Sequence, residues 1–247
     1  MRFHRKYFNQ NKAVALRATA SFLALGLIFI TAQCSSLSPK DRSLREVAVG
    51  RALTARFAKA DGIVKNATAT SYVSLVGQAV VEAAGQSDKD YHFAILDTDE
   101  SISVAGPGGY ILISKGYIKS LSSEAELAAV LAMEVAHVAL AHHDDSLLTD
   151  GSLIETSESG SEELYETIRQ GKRSAEQVYE ADAAAAFYLA SLGYDPAVLV
   201  RVVKLGTPQK HASTADRQSK VKSVIEQNGL SGQQTNTARF QASTRGL

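Results

Sequence analysis

Residues 124–143 read EAELAAVLAMEVAHVALAHH. Seven of the twenty are alanine, at 125, 128, 129, 132, 136, 139 and 141. Alanine has the best intrinsic helix propensity, and nothing in the stretch breaks a helix. The small side chains also permit close approach of neighbouring elements. Ser122 and Ser123 precede the run, and Glu126 follows Ser123 by three, the spacing of a capping box. One long central helix from Glu124 to about His143 is therefore expected.

The flanking sequence supplies its neighbours. Apolar positions recur with helical spacing over residues 44–59 and again over 69–84. Residues 85–90 are polar and turn-forming, and residues 91–97 (YHFAILD) have strand character. Residues 102–105 and 110–114 read as extended segments around Gly106-Pro107-Gly108-Gly109. On the far side, residues 144–166 are acidic and rich in Ser and Gly, which predicts a mobile insertion with a helix resuming near Glu162. An Ala-rich helix follows over 174–192 and stops at Gly193. Asp195-Pro196 opens a short helix, residues 214–227 form a last amphipathic one, and the polar stretch 228–247 is expected to be disordered.

Within the long helix lies Met133-Glu134-Val135-Ala136-His137. A zinc peptidase would carry His-Glu-x-x-His there: two imidazoles four residues apart grip the metal, and the Glu activates its water. Glu-x-x-His alone is not a motif, but it has company. Residues 107–116 read PGGYILISKG, Glu180-Ala181-Asp182 is followed by Gly193-Tyr194-Asp195-Pro196, and residues 211–217 read HASTADR. These four blocks, in this order, resemble metallopeptidase family forty-eight, the HtpX and CAAX prenyl protease group with its BepA-like and Oma-like relatives. The resemblance implies an α+β, mostly helical gluzincin-like metallopeptidase domain over residues 44–227, with a small sheet and a central active-site helix.

The resemblance also assigns positions. The family's first zinc His falls on Met133, its catalytic Glu on Glu134 and its second zinc His on His137. Its third ligand, a Glu four residues before Asp182, falls on Val178. Glu180 lies two residues further on, about 200° around a helix. Asp182 takes the place that supports the ligand shell, and His211 the downstream place near the active centre. Gly108, Gly109 and Tyr110 border the substrate cleft, where an extended peptide can pair along a strand edge. Two ligand positions are thus apolar, and a thioether is a soft donor unsuited to zinc. His137 is a residual ligand. His142 and His143 are expected at the exposed helix end, favourable to its dipole.

The amino terminus is a separate matter. Residues 1–33 carry five basic residues and no acidic one, and residues 21–32 (SFLALGLIFITA) are apolar. Twelve residues are too few for a membrane span and suit an export signal. Cys34, the single cysteine, follows at once, which resembles a lipoprotein signal with Cys34 lipidated and residues 34–43 as a tether. Gln33 departs from the small residue usual before that Cys. One cysteine excludes an internal disulfide and a cysteine-rich zinc module. The zero formal charge averages the basic leader with a remainder of 21 basic and 26 acidic residues, and argues against nucleic acid as a partner.

Three functions stay open at this point. One is a pseudopeptidase in the cell envelope, on the periplasmic face of the outer membrane, binding an envelope protein or peptide with no cofactor. Another is an active zinc metalloendopeptidase with altered ligands, using Glu134 as base with His137 and His211 around the metal. The third is a structural or assembly lipoprotein in which the cleft is incidental.

Overall fold

The computed structural model describes residues 38–143, 148 and 153–247. Residues 1–33, read in the sequence as an export signal, and Cys34 lie outside the described residues. Helix α1 (Pro39–Asp61) starts on a Ser38 cap with proline in its first turn and ends at Gly62. Helix α2 (Ala67–Ala83) starts on Asn66, whose side chain accepts from the Ala69 N–H. Three strands follow: β1 (His92–Leu96), β2 (Ser103–Gly106) and β3 (Tyr110–Ser114). They form one sheet in the order β1-β3-β2, with β1 parallel and β2 antiparallel to β3. Helix α3 (Lys115–Ser120) leads to the central helix α4 (Glu124–Ala139).

Every residue of α4 from Glu124 to His137 is buried. The helix packs against α2, the β2 strand, helix α6 (Ala175–Ser191) and helix α7 (Val198–Val202). Its alanines let those neighbours approach, and Leu127, Val130 and Leu131 are wholly buried among them. Each such side chain contributes roughly 1.5–3 kcal/mol on burial. The mostly helical α+β architecture around a central helix is the one expected.

The cap of α4 differs from expectation. Ser123 Oγ does accept from the Glu126 N–H. The Glu126 carboxylate, however, accepts from the backbone and hydroxyl of Ser122, not from the Ser123 backbone, and pairs with Arg201. The C-terminus differs more. The helix stops at Leu140, and Ala141 takes φ 53°, in the left-handed region. The His142 N–H then bonds the His137 carbonyl, and the Ala141 N–H that of Val138. This is a Schellman turn, whose geometry lays the residue after the reversal back over the last helical turn.

Two segments expected to lack order are helical. Within 144–166, the described part forms helix α5 (Leu153–Arg169), which packs on α1. The Phe57 and Tyr165 rings lie 4.7 Å apart, and Arg169 donates to Asp61 and Glu100. Leu164 and Ile168 are buried with Leu53, Phe57, Leu96 and Leu112. Beyond α8 (Thr214–Asn228), the polar tail forms helix α9 (Thr237–Thr244), with Phe240 buried. A buried carboxylate explains why so polar a segment docks: Glu124 accepts from Tyr72, Tyr194, Asn236 and Arg239. Charge-assisted bonds of this kind are the strong ones. Among the described residues, no helix is long and apolar enough to cross a membrane.

Candidate functional site

Helices α4, α6 and α8 bring the expected positions together. Met133, Glu134 and His137 project from α4, and Val178 from α6, into one small cavity of about 50 Å³. All four are buried. Glu134 accepts a 2.6 Å hydrogen bond from the Ser103 hydroxyl on β2. Burial raises the Glu134 pKa, opposed by the nearby Arg173 cation and by that bond. Burial pushes His137 well below the ordinary imidazole range, and Arg173, His142 and Arg217 act in the same direction. His137 is therefore a neutral imidazole.

Its orientation is set by the turn after α4. His142 Nδ1 lies 2.9 Å from His137 Nδ1, and His142 Nε2 lies 3.1 Å from a Glu180 oxygen. With Glu180 accepting from His142 Nε2–H, His142 Nδ1 accepts from His137. That leaves His137 Nε2 as the free lone pair. His142 is buried, not exposed at a helix end as expected, and burial lowers its pKa. His143 turns the other way, 3.5 Å from Glu46.

Asp182 is buried and grips Arg217 in a bidentate pair, Nε–Oδ2 at 2.8 Å and Nη2–Oδ1 at 2.7 Å. Arg217 Nη2 also lies 3.4 Å from the Met133 sulfur. Burial opposes the charge of Arg217, but the Asp182 hydrogen bonds together with the charges of Asp182, Tyr117 and Glu134 outweigh it and raise its pKa. A second guanidinium, Arg173, lines the cavity from the turn before α6. Among the described residues, no three His, Cys, Asp or Glu side chains are grouped to hold a metal ion.

Other expected site residues lie elsewhere. His211 is exposed and does not line the cavity. Gly108, Gly109 and Tyr110 are also away from it. Gly109 has φ 85°, and a Cβ there would meet the Asp90 carbonyl oxygen at 2.2 Å; one on Gly108 would meet the Val47 backbone at 2.9 Å. These glycines serve close packing against α1 and the turn before β1. Tyr110 accepts from Arg51 and its ring lies 4.8 Å from His92. The strand that follows, β3, is central and paired on both sides, so it offers no edge. The edge strands are β1, whose outer side is bonded by residues 62–64, and β2, which runs beside the cavity. The carbonyls of Ser101 and Ala105 face away from β3 and are taken by Thr207 Oγ1 at 3.1 Å and Arg173 Nη2 at 3.5 Å. Cys34 lies outside the described residues.

The sequence reading missed Ser103, Arg173 and Thr207. Ser103 sits in an extended segment and Thr207 in a loop, with no local pattern to mark them. Arg173 reads as half of a basic pair, Lys172-Arg173, before a helix cap.

Residues 67–238 match the family model described as Peptidase family M48. Among curated proteins, a beta-barrel assembly-enhancing protease from Yersinia pestis is 26% identical over 98 residues, 40% of this chain and 20% of that protein. The protein of the same name from Escherichia coli (strain K12) is 29% identical over 73 residues, 30% of this chain and 15% of that protein. The match thus spans a fifth or less of those relatives' length. With the family model covering well over half of the sequence and the central helix, sheet and α6 set as described, the chain belongs to peptidase family M48.

Proposed function

We infer that this family member is a pseudopeptidase: it keeps the peptidase framework and cavity, does not hydrolyse, and binds an envelope protein or peptide. The observation that carries this reading is the Met133–Arg217 contact. Where the family resemblance places a zinc imidazole, a thioether meets a guanidinium at 3.4 Å. The donor set does not fit zinc, which takes imidazole nitrogen, thiolate or carboxylate oxygen. Met133 supplies a soft sulfur, Val178 nothing, and only His137 a suitable donor. Of the two buried arginines beside the cavity, Arg217 is paired with Asp182, and Arg173 adds like charge to any cation that enters. A single ligand would leave bound water without the lowered pKa that hydrolysis needs.

Glu134 then has no metal-bound water to activate. Its bond to Ser103 ties α4 to edge strand β2. Thr207 bonds the Ser101 carbonyl just before β2, and Arg173 lies 3.5 Å from the Ala105 carbonyl, so an extended peptide along this edge would meet the chain's own groups. In this reading the protein is exported and held at the membrane by a lipid on Cys34. The names of the curated relatives, beta-barrel assembly-enhancing proteases, are compatible with an envelope setting and with a role beside outer-membrane assembly.

A cleavage assay on the full chain with casein and unfolded envelope proteins tests it. No cleavage is expected, with or without added zinc. Chelator-sensitive cleavage that disappears in Glu134→Gln would overturn the reading and restore the active endopeptidase.

A further inference from the structure

Arg173 is a buried cation that feels one carboxylate at the cavity, Glu134, and among the described residues makes no ion pair with it. It is 9% exposed, and among the described residues no carboxylate comes within ion-pair distance of it. Its recorded hydrogen bonds go to two backbone carbonyls, Nη1 to His142 at 3.2 Å and Nη2 to Ala105 at 3.5 Å. The second is beyond the usual range for an N–H···O bond. A desolvated charge this poorly satisfied is costly unless something pairs with it. Arg217 differs, since Asp182 neutralises it. Its recorded hydrogen bonds use Nε and Nη2.

The two guanidinium groups line the same cavity, with Ser103 and Thr207 at its walls. Its volume, about 50 Å³, exceeds the roughly 10–15 Å³ that one water needs and suits a group of a few heavy atoms. The cavity is only partly enclosed, and four of its lining side chains, Glu134, His137, Arg173 and Arg217, keep 8 or 9% exposure. The planar fork of arginine matches a carboxylate in two-point contact.

We propose that this cavity is a carboxylate-binding site, in which Arg173 receives the chain-end carboxylate or an acidic side chain of a bound peptide. It rests on the pseudopeptidase reading, because the anion would occupy the place that the family resemblance gives to the metal. Glu134 is the one competing anion at the cavity, held by Ser103. Removing its charge should therefore help the ligand.

The test is calorimetric titration of the full chain with three short peptides of one neutral sequence. One has a free C-terminus, one is amidated, and one is amidated with an internal glutamate. Binding of either carboxylate-bearing peptide at least tenfold tighter than the neutral amide is expected, and which of the two binds identifies the source. Arg173→Gln should weaken that binding about tenfold or more. Arg173→Lys should retain part of it, and Glu134→Gln should strengthen it. Equal binding of all three peptides, no binding of any, or unchanged binding in Arg173→Gln would overturn the proposal. Mass spectra of the same samples separate the two ideas. Cleaved peptide with carboxylate preference intact sinks the pseudopeptidase reading alone, and intact peptide without carboxylate preference sinks the site alone.

Discussion

Arg217 Nη2 lies 2.7 Å from Asp182 Oδ1 and 3.4 Å from the sulfur of Met133. One guanidinium thus joins the residue at the family's supporting position to the residue at its first ligand position. Helices α4, α6 and α8 meet at this point. The contact gives Met133 a packing role beside a fixed cation, and it makes the ion pair the keystone of the cavity wall.

Because the pair is buried, breaking it from one side should be severe. Asp182→Asn leaves Arg217 charged and without its anion, and should destabilise the chain by about 3–5 kcal/mol in urea unfolding. Replacing both, Asp182→Leu with Arg217→Met, should cost far less, since well-packed apolar residues can substitute for a buried pair. Equal losses from the single and double variants would show that packing volume matters here and charge does not.

Glu124 predicts the acid limb of the stability curve. Burial alone would raise its pKa; bonds from Arg239, Tyr194, Tyr72 and Asn236 outweigh this and hold it at about 2, below its ordinary 4.5. The folded value is depressed, so the stabilisation is complete above about pH 4.5 and is lost as pH falls toward 2. The amount is on the order of 2–3 kcal/mol. Glu124→Gln should lower stability at pH 7 and flatten the curve between pH 5 and 2, read by thermal melts across that range.

The turn after α4 stores strain. Ala141 at φ 53° occupies a region that costs a non-glycine residue about 1 kcal/mol or more. Ala141→Gly should raise stability by up to about 1 kcal/mol while leaving His142 over His137. A loss of stability would show that the alanine methyl contributes packing that outweighs the strain.

The same turn shows where the sequence was legible and where it was not. Helix α6 ends in the same hydrogen-bond pattern, with Gly193 at φ 77°, and that glycine marks the stop in the sequence. Ala141 carries no such mark, so the reading extended α4 to His143 and placed His142 in solvent. The Ala-rich helix and the strands were readable because periodicity is local, and the grouping of Met133, Glu134, His137 and Val178 around one cavity followed from the family resemblance. Arg173 and Ser103 were not, since only tertiary packing brings a pre-helix turn and an edge strand to that cavity. Helix α9 was missed for a related reason. Its docking depends on a carboxylate more than a hundred residues away.

Restoring the missing donors should restore metal affinity. Met133→His with Val178→Glu, beside His137, recreates the two-imidazole, one-carboxylate set of a catalytic zinc site. The double variant should bind zinc at least about a hundredfold more tightly than the natural chain in a competitive chelator titration. Each single variant should gain much less. No gain in the double variant would mean that Arg217 and Arg173 exclude the metal whatever the ligands.

The central claim is that a cation-lined cavity stands where a zinc centre would be, and zinc content tests it most directly. The full chain, purified in the presence of zinc and dialysed, should carry well below one zinc per molecule by atomic absorption, with no change in His137→Ala. One tightly held zinc per chain that is lost in His137→Ala would contradict the account.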